Sequence, residues 1–327
     1  MEELKQDMSA NGEKEEKVEH KRRSASQWAV AWRRFRRNRA GVAGLIIVLF
    51  IVFLGIFGDL LAPYPAYPNP GSLAPFNKGD IRLPPSAKYP FGTSAIGTDV
   101  LSDVLHGAKY ALYVGIVVTG ITMAIAIVVG AIAGFFGGWT DNVLMRITEV
   151  FLVIPSLLFI LVFSRIFTLT NTSTTFTVPL LNFSIPIGLT IVVVVLAVFN
   201  WAGNARMVRG EFLRVRELEF VEAEKALGAS NNRIIFRHIL PNILSSIIVV
   251  SSLTIAYAIL MEAAVSFLGF GDPNTVTWGQ ILQLNFADMR IVWWAEVFPG
   301  LAILLTVFGF NLLGDGLSDA LNPRLRD

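Results

Sequence analysis

The sequence contains no cysteine, so disulfides, thiolate metal sites and cysteine nucleophiles are all excluded. Charged residues are also scarce, at 16% of the 327 residues. A soluble domain carries about a quarter of its residues charged. Hydrophobic residues make up 54% of the chain. This balance predicts a membrane protein and argues against a soluble domain.

Several chemical signatures are missing as well. There is no G-x-x-x-x-G-K-[ST] motif, so we expect the chain to bind no nucleotide itself. The three histidines, His20, His106 and His238, are scattered without metal-ligand spacing, and no metal or other cofactor is expected. No group of His, Asp and Glu is clustered as an intramembrane enzyme would require, so we expect no enzymatic activity in this chain.

Long uncharged runs occupy much of the sequence. They cover 40–58, 110–140, 166–205, 239–261 and 297–314. A helix of about 20 residues crosses the roughly 30 Å of hydrocarbon in a bilayer. The runs and their flanks predict an all-α membrane protein with six transmembrane helices, at 41–61, 109–136, 148–167, 185–205, 243–267 and 298–314.

Charge asymmetry predicts the orientation of these helices. Arginine and lysine are frequent in 28–40 and 206–240, whereas Arg290 is the only basic residue between the last two spans. The positive-inside rule then places both termini in the cytoplasm. The expected layout is a disordered tail (1–27), a basic juxtamembrane segment (28–40), the first helix (41–61), an external loop (62–108), a five-helix core (109–314) containing the cytoplasmic loop 206–240, and a cytoplasmic C-terminus (315–327).

Two smaller patterns lie within this layout. Gly130, Gly134 and Gly138 recur every four residues, which predicts a seam where two helices approach closely. Asn171 and Asn182 each begin a glycosylation sequon in or near a predicted external loop.

The polar loop between the fourth and fifth spans is the most unusual segment. Glu217 to Leu227 has apolar residues at helical spacing and is followed by Gly228, which favours helix termination. A second helix is predicted from Arg233 to Ile239, with Pro241 at its junction with the fifth span. We therefore expect two short helices joined by a glycine turn.

Within this loop, VEAEKALGASNNRIIFRHILPN resembles the loop motif of ABC importer permeases. Four further stretches resemble the second permease subunit of the dipeptide/oligopeptide importer family: PFGTSAIGTDVLSDVLHGA, GGWTDNVLMRITEVFLVIPSLL, SFLGFGDPNTVTWGQIL and NLLGDGLSDALNPRLRD. The resemblance extends from Trp28 to Asp327 and implies the type I ABC importer permease fold.

The resemblance also implies partners and a coupling site. A family member pairs with a homologous permease, two ATPase subunits that bind ATP and magnesium, and an external substrate-binding protein. The implied ATPase-coupling loop consists of Glu222, Ala223, Glu224, Gly228, Ile239, Leu240 and Pro241. Glu222 offers a charge to the ATPase, and Gly228 allows the bend after the docking helix.

The sequence departs from the family pattern at two places. Glu224 stands where the loop motif usually has alanine. In the external motif, Tyr89, Ser94 and Thr98 replace the usual His, Asp and Arg, while Phe91, Gly92, Thr93, Gly97 and Asp99 match.

Polar residues in or near the spans are further candidates, because a charge in hydrocarbon is costly. They are Glu149, Arg165, Asn200, Asn204 and Glu262, for a role in the pathway or in structural anchoring. Pairing of Arg165 with Glu262 would neutralise both charges.

Peptides are the expected solute from the resemblance, with oligosaccharides or nickel as alternatives within the same importer class. A secondary transporter is the rival from another class. Its ionisable groups would be expected near span centres, which here are largely free of charge.

Overall fold

The computed structural model describes residues 27–65, 80–168, 175–178, 183–273 and 275–321. Nearly all of the expected disordered tail (1–27) lies outside these residues, as do both sequon asparagines, Asn171 and Asn182.

The regular structure of the described residues is helical except for one strand pair, with turns and loops between the elements. Its elements are α1 (Gln27–Phe35), α2 (Arg39–Leu61), α3 (Val100–Phe136), α4 (Gly138–Val153), α5 (Ser156–Thr168), β1 (Thr175–Val178), β2 (Phe183–Pro186), α6 (Ile187–Arg216), α7 (Glu219–Ala226), α8 (Asn231–Phe267), α9 (Trp278–Asn285) and α10 (Trp294–Leu321). A short 3-10 turn, Phe286–Asp288, follows α9. Strands β1 and β2 pair antiparallel, and this hairpin was not predicted from the sequence.

Five described helices, α2, α3, α6, α8 and α10, are long and apolar enough to cross a membrane. The remaining predicted span, the third (148–167), falls on a pair of helices, α4 and α5, which meet at an angle of 79°. Pro155 lies at the break, and a proline offers no N–H to continue a helix. The all-helical membrane fold is confirmed, with six spans when this bent pair is counted as one.

The helices extend beyond the predicted spans. Helix α3 begins at Val100 instead of near 109, because Asp99 caps it by accepting a hydrogen bond from the Ser102 N–H (2.9 Å). Helix α6 continues to Arg216 and α10 to Leu321, well past 205 and 314. Hydropathy marks only the apolar part of each helix, whereas the backbone hydrogen bonds continue into the polar flanks.

The glycine seam holds for two of its three members. A side chain at Gly130 would collide with Val208 and the Ala205 carbonyl, and one at Gly134 with Phe212, so α3 packs closely along α6 there. Gly138 is different: it begins α4 with a positive φ of 57° and has open space around it. The chain leaves the seam at Gly137, which ends α3.

One end of the bundle collects most of the basic residues, and we call it the basic end. Here α2 begins and α10 ends, with the Asn38 amide donating to Asp319 (2.9 Å). Helix α3 also ends there, since the Arg216 guanidinium near the end of α6 donates to the Phe135 carbonyl (3.0 Å). The loop 206–240 and α1 therefore lie at the same end of the molecule.

Candidate functional site

Helix α7 is held to the basic end by one buried side chain. Val221 is fully buried and is the only buried residue of this eight-residue helix. It packs in an apolar cluster with Phe212 and Val215 of α6 and Ile234 of α8. The predicted helix Glu217–Leu227 is thus observed two residues shorter at its start and one at its end.

Gly228 ends α7 in a Schellman motif. Its φ is +77°, in the left-handed region that favours glycine. The Gly228 N–H donates to the Lys225 carbonyl, and the Ala229 N–H donates to the Glu224 carbonyl, each at 3.0 Å. These two hydrogen bonds fix the direction in which the chain leaves α7.

Glu224 faces the start of α8. Its carboxylate lies 3.5 Å from His238 Nε2, and both side chains are partly buried. The acidic residue that departs from the loop motif therefore points into the loop, while its neighbours Glu222, Ala223 and Lys225 are exposed. Glu224 thus contacts the second half of the loop through His238.

The predicted second helix is not a separate element. Residues Asn231 to Phe267 form one continuous helix, in which Ile234–Ile239 is a π turn. The Leu240 N–H donates to the Ile235 carbonyl, five residues back. This wider turn directly precedes Pro241, which has no N–H to donate, and the helix continues through it. Pro241 consequently lies where the π turn changes to regular α-helix within α8, to which Ile239 and Leu240 also belong, and not at a break between two helices.

The loop exposes apolar and acidic side chains together. Phe220 is exposed on α7, Leu227 directly after it is 83% exposed, and Phe236 is exposed on α8. Glu222 is exposed on α7 as well. Large apolar side chains exposed beside charges are typical of a protein interaction surface. A rigid helix with such a surface can transmit a push from a bound partner to α6 and α8.

One ion pair and one hydrogen bond that the sequence did not reveal connect α6 to its neighbours. The Arg209 guanidinium donates two hydrogen bonds to the Asp141 carboxylate of α4, each at 2.5 Å. Glu211 accepts from the Ser246 hydroxyl of α8 at 3.2 Å. Arg209 and Asp141 are 68 positions apart in the sequence, and Glu211 and Ser246 are 35 apart. No local spacing in the sequence signals contacts between residues so far apart.

The polar candidates in the spans have separate surroundings. Glu149 pairs with Arg146 (3.1 Å) and Arg206 (3.6 Å) at the surface. Arg165 is exposed, whereas Glu262 is buried and accepts from the Ser266 hydroxyl (2.6 Å), so the expected pair of Arg165 with Glu262 is not formed.

The two asparagine candidates make hydrogen bonds inside the chain. Asn200 donates to the Leu196 carbonyl of its own helix at 2.7 Å. Asn204 donates to the Thr254 hydroxyl at 3.3 Å and so links α6 to α8.

At the opposite end, two of the altered motif residues, Ser94 and Thr98, form a hydrogen-bonded network with Asp103. The Ser94 and Thr98 hydroxyls are 2.7 Å apart, and Thr98 donates to the Asp103 carboxylate at 2.5 Å. All three are buried. A hydrogen bond between the Ser94 and Thr98 hydroxyls thus stands at the two positions where the family pattern has Asp and Arg.

The segment around this motif is tied to the end of the bundle by polar contacts. Tyr89 and Lys88 both donate to the Asp80 carboxylate, at 2.8 and 2.9 Å, and this carboxylate raises the pKa of the Lys88 ammonium. Arg82 pairs with Asp288 between α9 and α10 (2.7 Å). The Trp294 indole donates to the Thr93 carbonyl (2.9 Å).

A bundle of membrane-crossing helices with a small helix exposed at its basic end fits the class of membrane transport permeases. The chain belongs to the family described as binding-protein-dependent transport system inner membrane component, whose model matches residues 126–327. Residues 26–85 match a second model, the N-terminal TM domain of oligopeptide transport permease C.

Curated relatives cover almost the whole chain. The oligopeptide transport system permease protein OppC of Bacillus subtilis is 34% identical, over 97% of this chain and 96% of its own length. The dipeptide transport system permease protein DppC of the same organism is 37% identical, over 94% and 88%. The glutathione transport system permease protein GsiD of Pectobacterium atrosepticum is 36% identical, over 91% and 92%.

Membership of this family settles several expectations. The chain is a multi-pass inner membrane component and a permease subunit of an ABC importer. As the membrane component of a binding-protein-dependent system, it works with a partner ATPase and a substrate-binding protein.

Proposed function

We propose that the chain forms half of the translocation pathway of an ATP-driven importer for di- and oligopeptides, which an external binding protein delivers. The relatives named as oligopeptide, dipeptide and glutathione permeases support peptides as the solute class. Oligosaccharides or nickel are the alternative solutes. The proposed complex contains this chain, one homologous permease and two ATPase subunits.

One observation carries the coupling role. Helix α7 is fixed at one point by buried Val221 and at its end by the Gly228 turn, yet its other side chains are exposed, except the partly buried Glu224. A helix held in this way can dock on an ATPase and pass its movement to the spans. Glu222 and Ala223 would face the ATPase, and Glu224 would stiffen the loop through His238.

The proposed orientation follows the charges. Arginines of α1 and of the end of α6 meet at the basic end, which supports a cytoplasmic location for α7 and for both termini. The segment 62–108 would then be external, where the binding protein docks, and the tail 315–327 cytoplasmic.

The polar candidates are proposed to have structural roles. Glu262 and Asn204 make their hydrogen bonds to neighbours in the same chain, to Ser266 and Thr254. Glu149 is partly exposed and Arg165 is exposed, each near a helix end, as expected of anchoring residues.

The coupling role is tested by Glu222→Lys and Gly228→Pro in the assembled complex. Proline cannot adopt the φ of +77° at position 228 and removes the N–H that donates to Lys225. Both variants are expected to insert normally and to lose peptide uptake and binding-protein-stimulated ATPase activity. Glu217→Lys makes the same charge change on an exposed residue outside α7 and should leave both activities intact.

Full transport by either Glu222→Lys or Gly228→Pro would contradict the coupling role.

The solute class is tested separately, by measuring binding of peptides, oligosaccharides and nickel to the purified external binding protein. Uptake that follows a proton or sodium gradient without ATP hydrolysis would instead favour a secondary transporter.

A further inference from the structure

A cavity of about 400 Å³ lies between the end of α8, helix α9 with its 3-10 turn, and the start of α10. One carboxyl group, that of Glu296, stands in its lining. A cavity of this size, mostly apolar with few polar groups, is typical of a small-molecule site. The rest of the described lining is apolar and consists of Phe267, Leu282, Phe286, Met289, Trp293 and Val297.

Glu296 has an oxygen without a hydrogen-bond partner. Its Oε1 atom is buried, and no described residue donates to it. Glu296 lies in the first turn of α10, where the Val297 N–H donates to the Trp293 carbonyl (3.0 Å). Trp293, Glu296 and Val297 therefore follow the spacing of one helix face. Burying an acceptor without a donor costs free energy, which a donor brought by a ligand would recover.

The aromatic side chains of the cavity favour a cationic donor. Phe267 and Phe286 meet edge to face, with ring centroids 5.3 Å apart. Trp293 adds an indole that is 54% exposed. The faces of aromatic rings attract ammonium groups, and a carboxylate pairs with them directly. No basic side chain is among the described lining residues, so none of them competes for Glu296.

From this geometry we propose that Glu296 accepts a hydrogen bond from the α-ammonium of a transported peptide, whose first side chain lies against Phe286, Met289 and Trp293. The inference rests on the proposed function, because it concerns recognition of the same solute class. Unblocked peptides share the α-ammonium whatever their sequence. Methionine is flexible, so Met289 can adapt to side chains of different shape.

A lipid headgroup offers the same chemistry, since phosphatidylethanolamine also carries a primary ammonium. Its phosphate would come close to the Glu296 carboxyl group, and the described lining provides no basic residue to receive it. A peptide has a neutral amide in place of that phosphate. The peptide is therefore the assigned ligand.

The test uses the chain assembled with its partner subunits in nanodiscs of phosphatidylcholine, without binding protein or nucleotide. Equilibrium dialysis measures the affinity for radiolabelled dileucine amide and for N-acetyl-dileucine amide, which lacks the ammonium. Wild type is expected to bind the acetylated ligand about tenfold more weakly, the factor that corresponds to one hydrogen bond between charged groups. Equal affinity for the two ligands, or no binding of either, would overturn the inference.

Glu296→Gln keeps the size of the side chain and removes its charge. It should lower the affinity for dileucine amide to that for the acetylated ligand and leave the latter unchanged, which also shows that the variant is folded. Glu217→Gln removes the same charge from an exposed residue at the basic end and should behave as wild type. Equal weakening of both ligands by Glu296→Gln, or the same loss in Glu217→Gln, would overturn the role of Glu296.

Two further arms separate the possible ligands and the two proposals. Adding phosphatidylethanolamine to the nanodiscs should leave the affinity for dileucine amide unchanged, and competition by this lipid would overturn the peptide assignment. ATP-driven dileucine uptake with the binding protein tests the proposed function alone. Uptake by a complex that shows no ammonium preference would reject the role of the cavity and leave the proposed function standing. An ammonium preference without uptake of any peptide would contradict the proposed function and the peptide assignment together.

Discussion

Gly228 has open space where a side chain would stand, so its backbone conformation alone requires glycine. Gly228→Ala forces alanine into a left-handed φ, at a cost of about 1–2 kcal/mol. We expect the turn after α7 to lose part of its population and stimulated ATPase activity to fall several-fold. The measurement is ATPase rate against binding-protein concentration in the reconstituted complex.

Gly210 provides the matched control. It also has open space around it, but it lies in α6 without a positive φ. Gly210→Ala should leave ATPase activity unchanged, because alanine is the better helix former. Equal loss in both variants would show that the φ of Gly228 is not what matters.

The Arg209–Asp141 pair is expected to hold α4 on α6. Asp141→Asn removes the charge that receives two hydrogen bonds at 2.5 Å. The loss should be about 1.5–3 kcal/mol of unfolding free energy, as for hydrogen bonds to charged groups. Thermal unfolding of the purified chain in detergent measures it.

Glu149→Gln is the comparison for that pair. Glu149 is 45% exposed, and its partners Arg146 and Arg206 are exposed too. An exposed pair contributes less than about 1 kcal/mol. A larger loss at Glu149 than at Asp141 would contradict the assignment.

At the scale of elements, close packing of α3 on α6 rests on Gly130 and Gly134. In Gly134→Leu the first added carbon would lie 2.6 Å from the Phe212 side chain and 2.9 Å from the Arg209 carbonyl. The helices must separate, at about 3 kcal/mol or more. The expected result is loss of the folded chain from membranes, measured by resistance to limited proteolysis.

Gly120→Leu places the same side chain on the same helix, where nothing lies within 4 Å. This variant should fold and resist proteolysis as wild type does. Degradation of both variants would mean that leucine is excluded from α3 for a reason other than the α6 contact.

Much of this element structure could be predicted because membrane helices follow hydropathy. The uncharged runs located five of the helices, and Gly228 with its preceding amphipathic residues located α7. The spacing of Gly130 and Gly134 indicated the seam correctly, since both residues lie on one helix and residues four positions apart share a helix face.

Features that depend on distant residues could not be predicted. Asp141 meets Arg209 only because α4 folds back against α6. The π turn before Pro241 was missed because helix propensity describes the usual hydrogen-bond spacing, and a proline near a helix start is read as a boundary. Gly138 was assigned to the seam by its spacing, although the chain had already turned at Gly137.

At the scale of the whole molecule, the two ends of the bundle differ in their contacts and exposed surfaces. The end with Arg82, Asp80 and Asp288 is held by ion pairs and hydrogen bonds, while the basic end exposes α7 and the arginines of α1. A partner that moves α7 therefore acts on α6 and α8, which both reach the opposite end.

The absence of cysteine allows the most direct test of ATPase coupling through α7. Ala223→Cys, exposed on α7, would be the only thiol of the chain and can carry a photoactivated cross-linker. In the assembled complex, the account predicts a cross-link from this position to the ATP-binding subunit. Ala87→Cys, exposed at the opposite end, should give none. A cross-link to the ATPase from Ala87→Cys, with none from Ala223→Cys, would contradict the account.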